Sequence, residues 1–201
     1  MAMRLTHAVM VLADISGYTQ FITNREVSLL HAEQIINDLL ESMIDRTEHP
    51  LTLNKLEGDA AFLYAESGDN QAAAVRDVLV QTSALFTAFE QRLARIREDR
   101  AHCGCHACAN VANLRLKAFV HCGEIAVKQF RQFEELAGED VILIHRLMKN
   151  HVPGREYVLL SGAVTGLWPP AAGLGQAYSE EFEGMGLLEL RLLDPADLPR
   201  S

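Results

Sequence analysis

The segment Val9-Met-Val-Leu-Ala-Asp-Ile-Ser-Gly-Tyr-Thr19 decides the fold. Its apolar run ends on Asp14 and breaks at Gly17, which reads as a buried strand running into a turn. Leucines and isoleucines then recur at helical spacing over residues 23–46, so the strand feeds a short loop and then a helix. Asp14 is thereby set at the carboxyl end of a strand. The backbone amides of Gly17, Tyr18 and Thr19 follow beside the incoming helix terminus, where they can face an anion. A carboxylate next to such a loop suggests a metal bridging protein and phosphate, although Asp before Ser-Gly is by itself a common turn or helix cap.

A second carboxylate about forty residues on strengthens the metal reading. It lies in Asn54-Lys-Leu-Glu-Gly-Asp-Ala-Ala-Phe-Leu-Tyr64, where strand-like runs at 51–56 and 60–65 flank Gly58-Asp59 in hairpin-turn order. A hairpin beside the first strand brings Asp59 near Asp14. Two carboxylates at one sheet edge supply hard oxygen ligands and leave positions open for phosphate oxygens, as Mg²⁺-assisted phosphoryl chemistry requires.

Ala13-Asp-Ile-Ser-Gly-Tyr-Thr19 and Lys55-Leu-Glu-Gly-Asp59 resemble, in order and separation, the two metal-binding segments of class III adenylate and guanylate cyclases. Val120-His-Cys-Gly-Glu-Ile125 is similar to that family's hairpin, and Gly138-Glu-Asp-Val-Ile-Leu-Ile-His-Arg-Leu147 to its later helix, so the likeness runs over about residues 8–165. The resemblance implies an α+β fold, a ferredoxin-like βαββαβ sandwich of the class III nucleotidyl cyclase type, with a mostly antiparallel sheet covered by helices. It also implies a homodimer, in which each site takes its aspartates from one subunit and its Lys, acidic partner and Arg from the other. Two Mg²⁺ or Mn²⁺ ions are then held by Asp14, the Ile15 carbonyl and Asp59.

The remaining roles follow from the same resemblance, position by position. Lys55 falls where the family lysine reads the adenine ring, although alone it would be an ordinary solvated strand lysine. Glu135 falls where adenylate cyclases carry an Asp that accepts the adenine amino hydrogens, with Glu134 as the alternative one residue away. A Lys and carboxylate pair suits adenine, because guanine presents the opposite donor and acceptor order, so ATP is the expected substrate. Arg146 matches the arginine that neutralises charge building on the α-phosphate. Two positions depart from the pattern. Ile142, four residues before Arg146 on the same helix face, replaces an asparagine that orients the ribose. Glu124 stands where some members carry a phosphate-binding arginine. Losing one preorganised donor costs on the order of 10²–10³ in turnover. An adenylate cyclase is therefore the first reading, and a catalytically weak or inactive nucleotide-binding or dimerisation module the second. His145 is a packing or surface residue.

Length and charge set the frame. A chain of 201 residues that is 49% hydrophobic can bury a full core, and one domain over 1–201 is the natural expectation. A formal charge of −9 with scattered basic residues argues against a nucleic-acid surface. The early apolar run over 8–13 is too short to span a membrane. Reduced-looking cysteines and no visible secretory signal suggest the cytoplasm.

Along the chain, a strand is expected at 6–13, a helix at 24–46 ended near His49-Pro50, and the hairpin at 51–65. Ser67-Gly-Asp-Asn70 caps a second helix at 71–100, with Ala74, Val78, Leu85, Phe89, Leu93 and Ile96 on its sheet-facing side. Strands at 113–121 and 124–129 form a hairpin around Gly123. A helix at 140–150, a strand at 156–161, a short helix at 162–167, a loop at 168–175 and a strand at 186–193 complete the reading.

The most unusual local feature is His102-Cys103-Gly-Cys105-His106-Ala-Cys108, an insertion at about 101–110. Cys103, Cys105, Cys108 and His106 offer the soft donors that Zn²⁺ favours. A reduced, mobile loop and a disulfide are the other readings, and a metal or redox sensor is a third function class. Cys122 is given no ligand role.

Overall fold

The computed structural model describes residues 3–23, 29–171 and 174–200. Strand β1 (Met3–Ser16) is the axis of an eight-stranded sheet, and its residues 8–13 are buried on both sides. Odd residues Val9, Val11, Ala13 and Ile15 enter one core and even residues Ala8, Met10 and Leu12 enter the other, the alternation of a pleated strand. Asp14 continues the even row.

A turn at Gly17 leads into α1 (Tyr18–Thr23), and α2 (Leu29–Asp45) follows. Of the helix expected over 24–46, residues 24–28 lie outside the described residues. In α2 the buried Ala32, Ile35, Ile36, Leu39, Leu40 and Met43 recur every three or four residues, and that stripe enters the odd-row core. The expected hairpin is present as β2 (Thr52–Glu57) and β3 (Ala60–Glu66). Helix α3 (Gln71–Asp99) begins where Asn70 accepts from the Ala73 amide at 3.1 Å, the cap that stops the chain from continuing as a loop.

The hairpin expected around Gly123 is not there. Residues 115–130 form one unbroken strand, β4 (Arg115–Phe130), paired with β1 from Ser16↔Arg115 to Met3↔Lys128. The turn comes later, where Arg131 takes a positive φ of 56°, and the returning arm is β5 (Phe133–Ala137). Gly123 serves a different need: a Cβ there would collide with the carboxylate of Asp140. That carboxylate accepts from His121 Nε2 at 2.9 Å, and Ser161 donates to His121 Nδ1 at 2.8 Å. Burial holds the His121 imidazole below its ordinary value against the opposing pull of Asp140, so it stays neutral as this relay requires.

Asp140 lies in the first turn of α5 (Glu139–Leu147), which covers the even-row core with Val141, Ile144 and Leu147. Strand β6 (Tyr157–Ser161) pairs parallel to β4, and α6 (Gly162–Leu167) follows it. A strand that the sequence reading omits, β7 (Gln176–Phe182), joins β8 (Gly186–Leu193) at the sheet edge. The order is β2-β3-β1-β4-β6-β8-β7, with β5 paired to β4, and every pairing except β4 with β6 is antiparallel. Of the loop expected at 168–175, residues 172–173 lie outside the described residues. No helix among the described residues is long and apolar enough to cross a membrane.

Candidate active site

The end of β1 gathers the charged groups. Asp14 pairs with Ala60 on β3 and with Lys117 on β4, and the Ile15 amide donates to the Asp59 carbonyl at 3.1 Å. That bond ties the Gly58-Asp59 turn to β1 and keeps the two carboxylates within each other's field. Burial and the charge of Asp59 push Asp14 up to about 6, against the opposing pull of Lys117. Burial also raises Asp59. Two partly buried carboxyls held above their ordinary range would be stabilised in their charged form by a cation. Their hard oxygens, with the neighbouring Ile15 carbonyl, fit Mg²⁺ or Mn²⁺.

Gly17 adopts φ +97° and its carbonyl accepts from the Phe21 amide at 3.0 Å, so it caps α1. Tyr18 and Thr19 therefore occupy the first helical turn, whose amides point out of the helix end. The Tyr18 hydroxyl donates to Glu33 at 3.2 Å, which fixes the ring against α2. Beside the turn is a cavity of about 260 Å³ lined by Gly17, Phe21, His106, Asn110, Asn113, Leu114 and Arg155. The guanidinium of Arg155 lies against Gly17, 3.4 Å from where a Cβ would stand.

Lys117 and Arg155 are cations that the sequence reading did not single out. Lys117 had a weak signal, a lysine that alternates with apolar residues in Leu114-Arg-Leu-Lys-Ala-Phe-Val120, and its ammonium lies 5.2 Å from the Tyr157 ring. Arg155 had none, because the loop before β6 reaches Gly17 only through the parallel pairing of β4 and β6.

A second polar group forms on β2, β5 and α5. Lys55 Nζ lies 3.2 Å from Glu57 and 4.0 Å from Glu135, and 6.0 Å from the Phe62 ring. Glu134 is engaged elsewhere: its carboxylate accepts from the Tyr64 hydroxyl and its carbonyl from Asn54 at 3.2 Å. His145 sits edge-on to Phe62, with Nδ1 2.7 Å from the Val141 carbonyl and Nε2 3.1 Å from Glu57. Burial works to raise Glu57, but hydrogen bonds from His145 and Lys55 outweigh it and hold the carboxyl below its ordinary range. Arg146 lies one residue on and pairs with the exposed Glu183 at 3.6 Å. Ile142 is 56% exposed on α5, and Glu124 is exposed in mid-strand opposite His7.

The cysteine segment is not all loop. Cys105 caps a short helix, α4 (His106–Asn110), followed by a 3₁₀ turn (Val111–Asn113). Cys103, Cys105 and Cys108 come together as the spacing suggests, but the imidazole that joins them is His31 of α2. His106 instead lines the cavity at Gly17.

Comparison with solved structures defines the class of fold first. The adenylyl cyclase CyaB of P. aeruginosa superposes with a TM-score of 0.74 at 14% identity, covering 96% of this chain and 97% of that one. The guanylyl cyclase Cya2 gives 0.75 at 14% identity, covering 96% and 94%. The fold is that of class III nucleotidyl cyclase domains. In sequence, the chain belongs to the family described as "Protein of unknown function (DUF2652)", whose model matches residues 36–157. It is also 37% identical over 164 residues to the uncharacterized protein Rv2561/Rv2562 of Mycobacterium tuberculosis, 80% of this chain and 74% of that one.

Proposed function

We propose that this protein is a nucleotidyl cyclase that converts ATP to cyclic AMP and pyrophosphate at a site shared by two copies of the chain. The observation that carries this reading is the joint placement of Asp14 and Asp59 beside the Gly17 turn, with both carboxyls raised above their ordinary range. Asp14, Asp59 and the Ile15 carbonyl would hold Mg²⁺ or Mn²⁺. A divalent ion there supplies charge neutralisation to the triphosphate and acidifies the ribose 3′ hydroxyl. The amides of Gly17, Tyr18 and Thr19 receive phosphate oxygens, and Lys117 and Arg155 add positive charge in an otherwise acidic protein. Lys55 donates to the adenine ring and Glu135 accepts from its amino group. Arg146 leaves the weak pair with Glu183 to neutralise charge on the α-phosphate. The 3′ hydroxyl gives its proton to water and its oxygen bonds to the α-phosphorus as the bond from that phosphorus to the bridging oxygen of the β-phosphate breaks, and pyrophosphate leaves.

The two-copy arrangement is supported by how charge is distributed within one chain. Lys117, and not Lys55, acts on Asp14, while Lys55 is engaged by Glu57 and Glu135. Each chain thus offers a metal half and a base-recognition half. Phe130 and Phe133 at the hairpin tip and Ile142 on α5 leave apolar surface exposed for a partner copy. We treat residues 1–201 as one cyclase-like unit with an insertion at about 101–110, working in the cytoplasm where nucleoside triphosphate is available. Exposed Ile142 favours a second reading, a module that binds nucleotide without turning it over.

Incubation of the purified protein with Mn²⁺ and each of the four ribonucleoside triphosphates, with chromatography of products, tests both readings. Cyclic AMP that disappears in Asp59→Ala is the expected result. Nucleotide binding by calorimetry without any cyclic product would replace the first reading with the second.

A further inference from the structure

The thiol and imidazole group between α2 and α4 has a geometry of its own. The donor atoms of His31, Cys103, Cys105 and Cys108 all lie within 4.8 Å of one another. His31 Nδ1 stands 3.4 Å from Cys105 Sγ, 3.7 Å from Cys103 Sγ and 3.9 Å from Cys108 Sγ. One ring nitrogen can make a hydrogen bond with only one of three sulfurs at a time. Near-equal distances to all three are instead those of four vertices around a common centre. A tetrahedral ion with Zn–S near 2.3 Å and Zn–N near 2.0–2.1 Å sets N···S separations of about 3.5 Å, close to those observed. The four cysteines are free, so no disulfide competes for the sulfurs.

We propose that His31, Cys103, Cys105 and Cys108 form a closed Zn²⁺ site that clamps the start of α2 to the connection between α3 and β4. Three soft sulfurs and one imidazole select Zn²⁺ over the hard cations suited to Asp14 and Asp59. Four protein ligands leave no open position, so the ion is structural and does not activate water. Local backbone supports the assignment: the Cys108 amide donates to Cys105 Sγ at 3.4 Å and orients that sulfur as α4 begins. The clamp has a consequence for the cavity at Gly17, because α4 and the turn after it supply His106, Asn110 and Asn113 to its wall. The site itself does not depend on the nucleotide reading.

The test begins with metal analysis of the full chain purified without chelators. The expected result is one zinc per chain, and Co²⁺ exchanged into the unmodified protein gives the thiolate charge-transfer and intense visible bands of a tetrahedral site. Cys122→Ser keeps the full zinc content. His31→Ala and Cys105→Ser weaken zinc binding at least about tenfold, measured by competition with a chromophoric chelator. Absence of zinc together with a Co²⁺ spectrum lacking thiolate bands overturns the proposal, and so does a disulfide among the three cysteines found by mass spectrometry under non-reducing conditions. Unchanged zinc affinity in His31→Ala, with zinc lost in His106→Ala, overturns this ligand set. The Co²⁺ measurement needs no variant and decides whether a tetrahedral thiolate site exists even where a substituted chain fails to fold.

Discussion

The carboxylate pair at the end of β1 and the thiol group between α2 and α4 are both suited to cations, for opposite reasons. Asp14 and Asp59 are hard and few: burial raises both, the charge of Asp59 raises Asp14 further, and two carboxylates alone leave coordination positions open. The His31 group is soft and numerically complete, with four donors from one chain. On the two proposals made above, an incomplete hard set is the place for chemistry and a complete soft set is a fastener. Ligand count and hardness, more than clustering itself, are then what would separate a reactive site from a structural one.

Four measurements can break or sharpen that contrast, the largest effect first. Asp59→Ala is expected to lower cyclic nucleotide formation at least about a hundredfold while leaving zinc content untouched, read by product chromatography and metal analysis on the same sample. Loss of both would erase the distinction between the two sites.

Asp14→Asn is expected to remove activity and yet stabilise the fold without added Mg²⁺ or Mn²⁺. Asp14 rises from 3.8 to about 6 on folding, with Asp59, Lys117 and Tyr157 the charged or titratable groups around it. Its contribution is therefore most favourable below 3.8 and is lost as pH rises through 6. At pH 7–8 the substitution should return on the order of 2–3 kcal/mol in urea unfolding, and a destabilised Asn variant would contradict the burial argument.

On the proposed ATP reading, Ile142→Asn would supply a ribose donor on the face of α5 that carries Arg146. Turnover should rise about tenfold, with little change in the KM for Mn²⁺–ATP. An unchanged rate would mean that α5 does not meet the sugar. Last, Arg4→Ala removes the bidentate pair with Glu66, at 2.6 and 2.7 Å but largely exposed. It should cost less than about 1 kcal/mol, which calibrates how little an ordinary surface ion pair contributes beside either cluster.

Local patterns made most of the fold legible. The strand ending at Asp14, the Gly58-Asp59 hairpin, the Asn70 cap and the apolar period of α3 each depend on neighbours in sequence. What failed depended on neighbours in space. Gly123 read as a turn because glycine punctuates chains, yet here it makes room for a carboxylate from another element. Strand β7 was missed because Gln-Ala-Tyr-Ser-Glu-Glu-Phe182 is a solvated edge with little apolar alternation. His31 lies 72 residues before Cys103, on a helix whose period points to packing, so no spacing rule joins them. Lys117 and Arg155 became relevant only through the register of β4.

The notch at Gly123 also bears on how this sequence can drift. Any side chain at 123 expels the Asp140 carboxylate from His121, which then loses its acceptor in a buried relay with Ser161. Positions 121, 123 and 140 are thus one hereditary unit, and an alignment of descendants should show them replaced together or not at all.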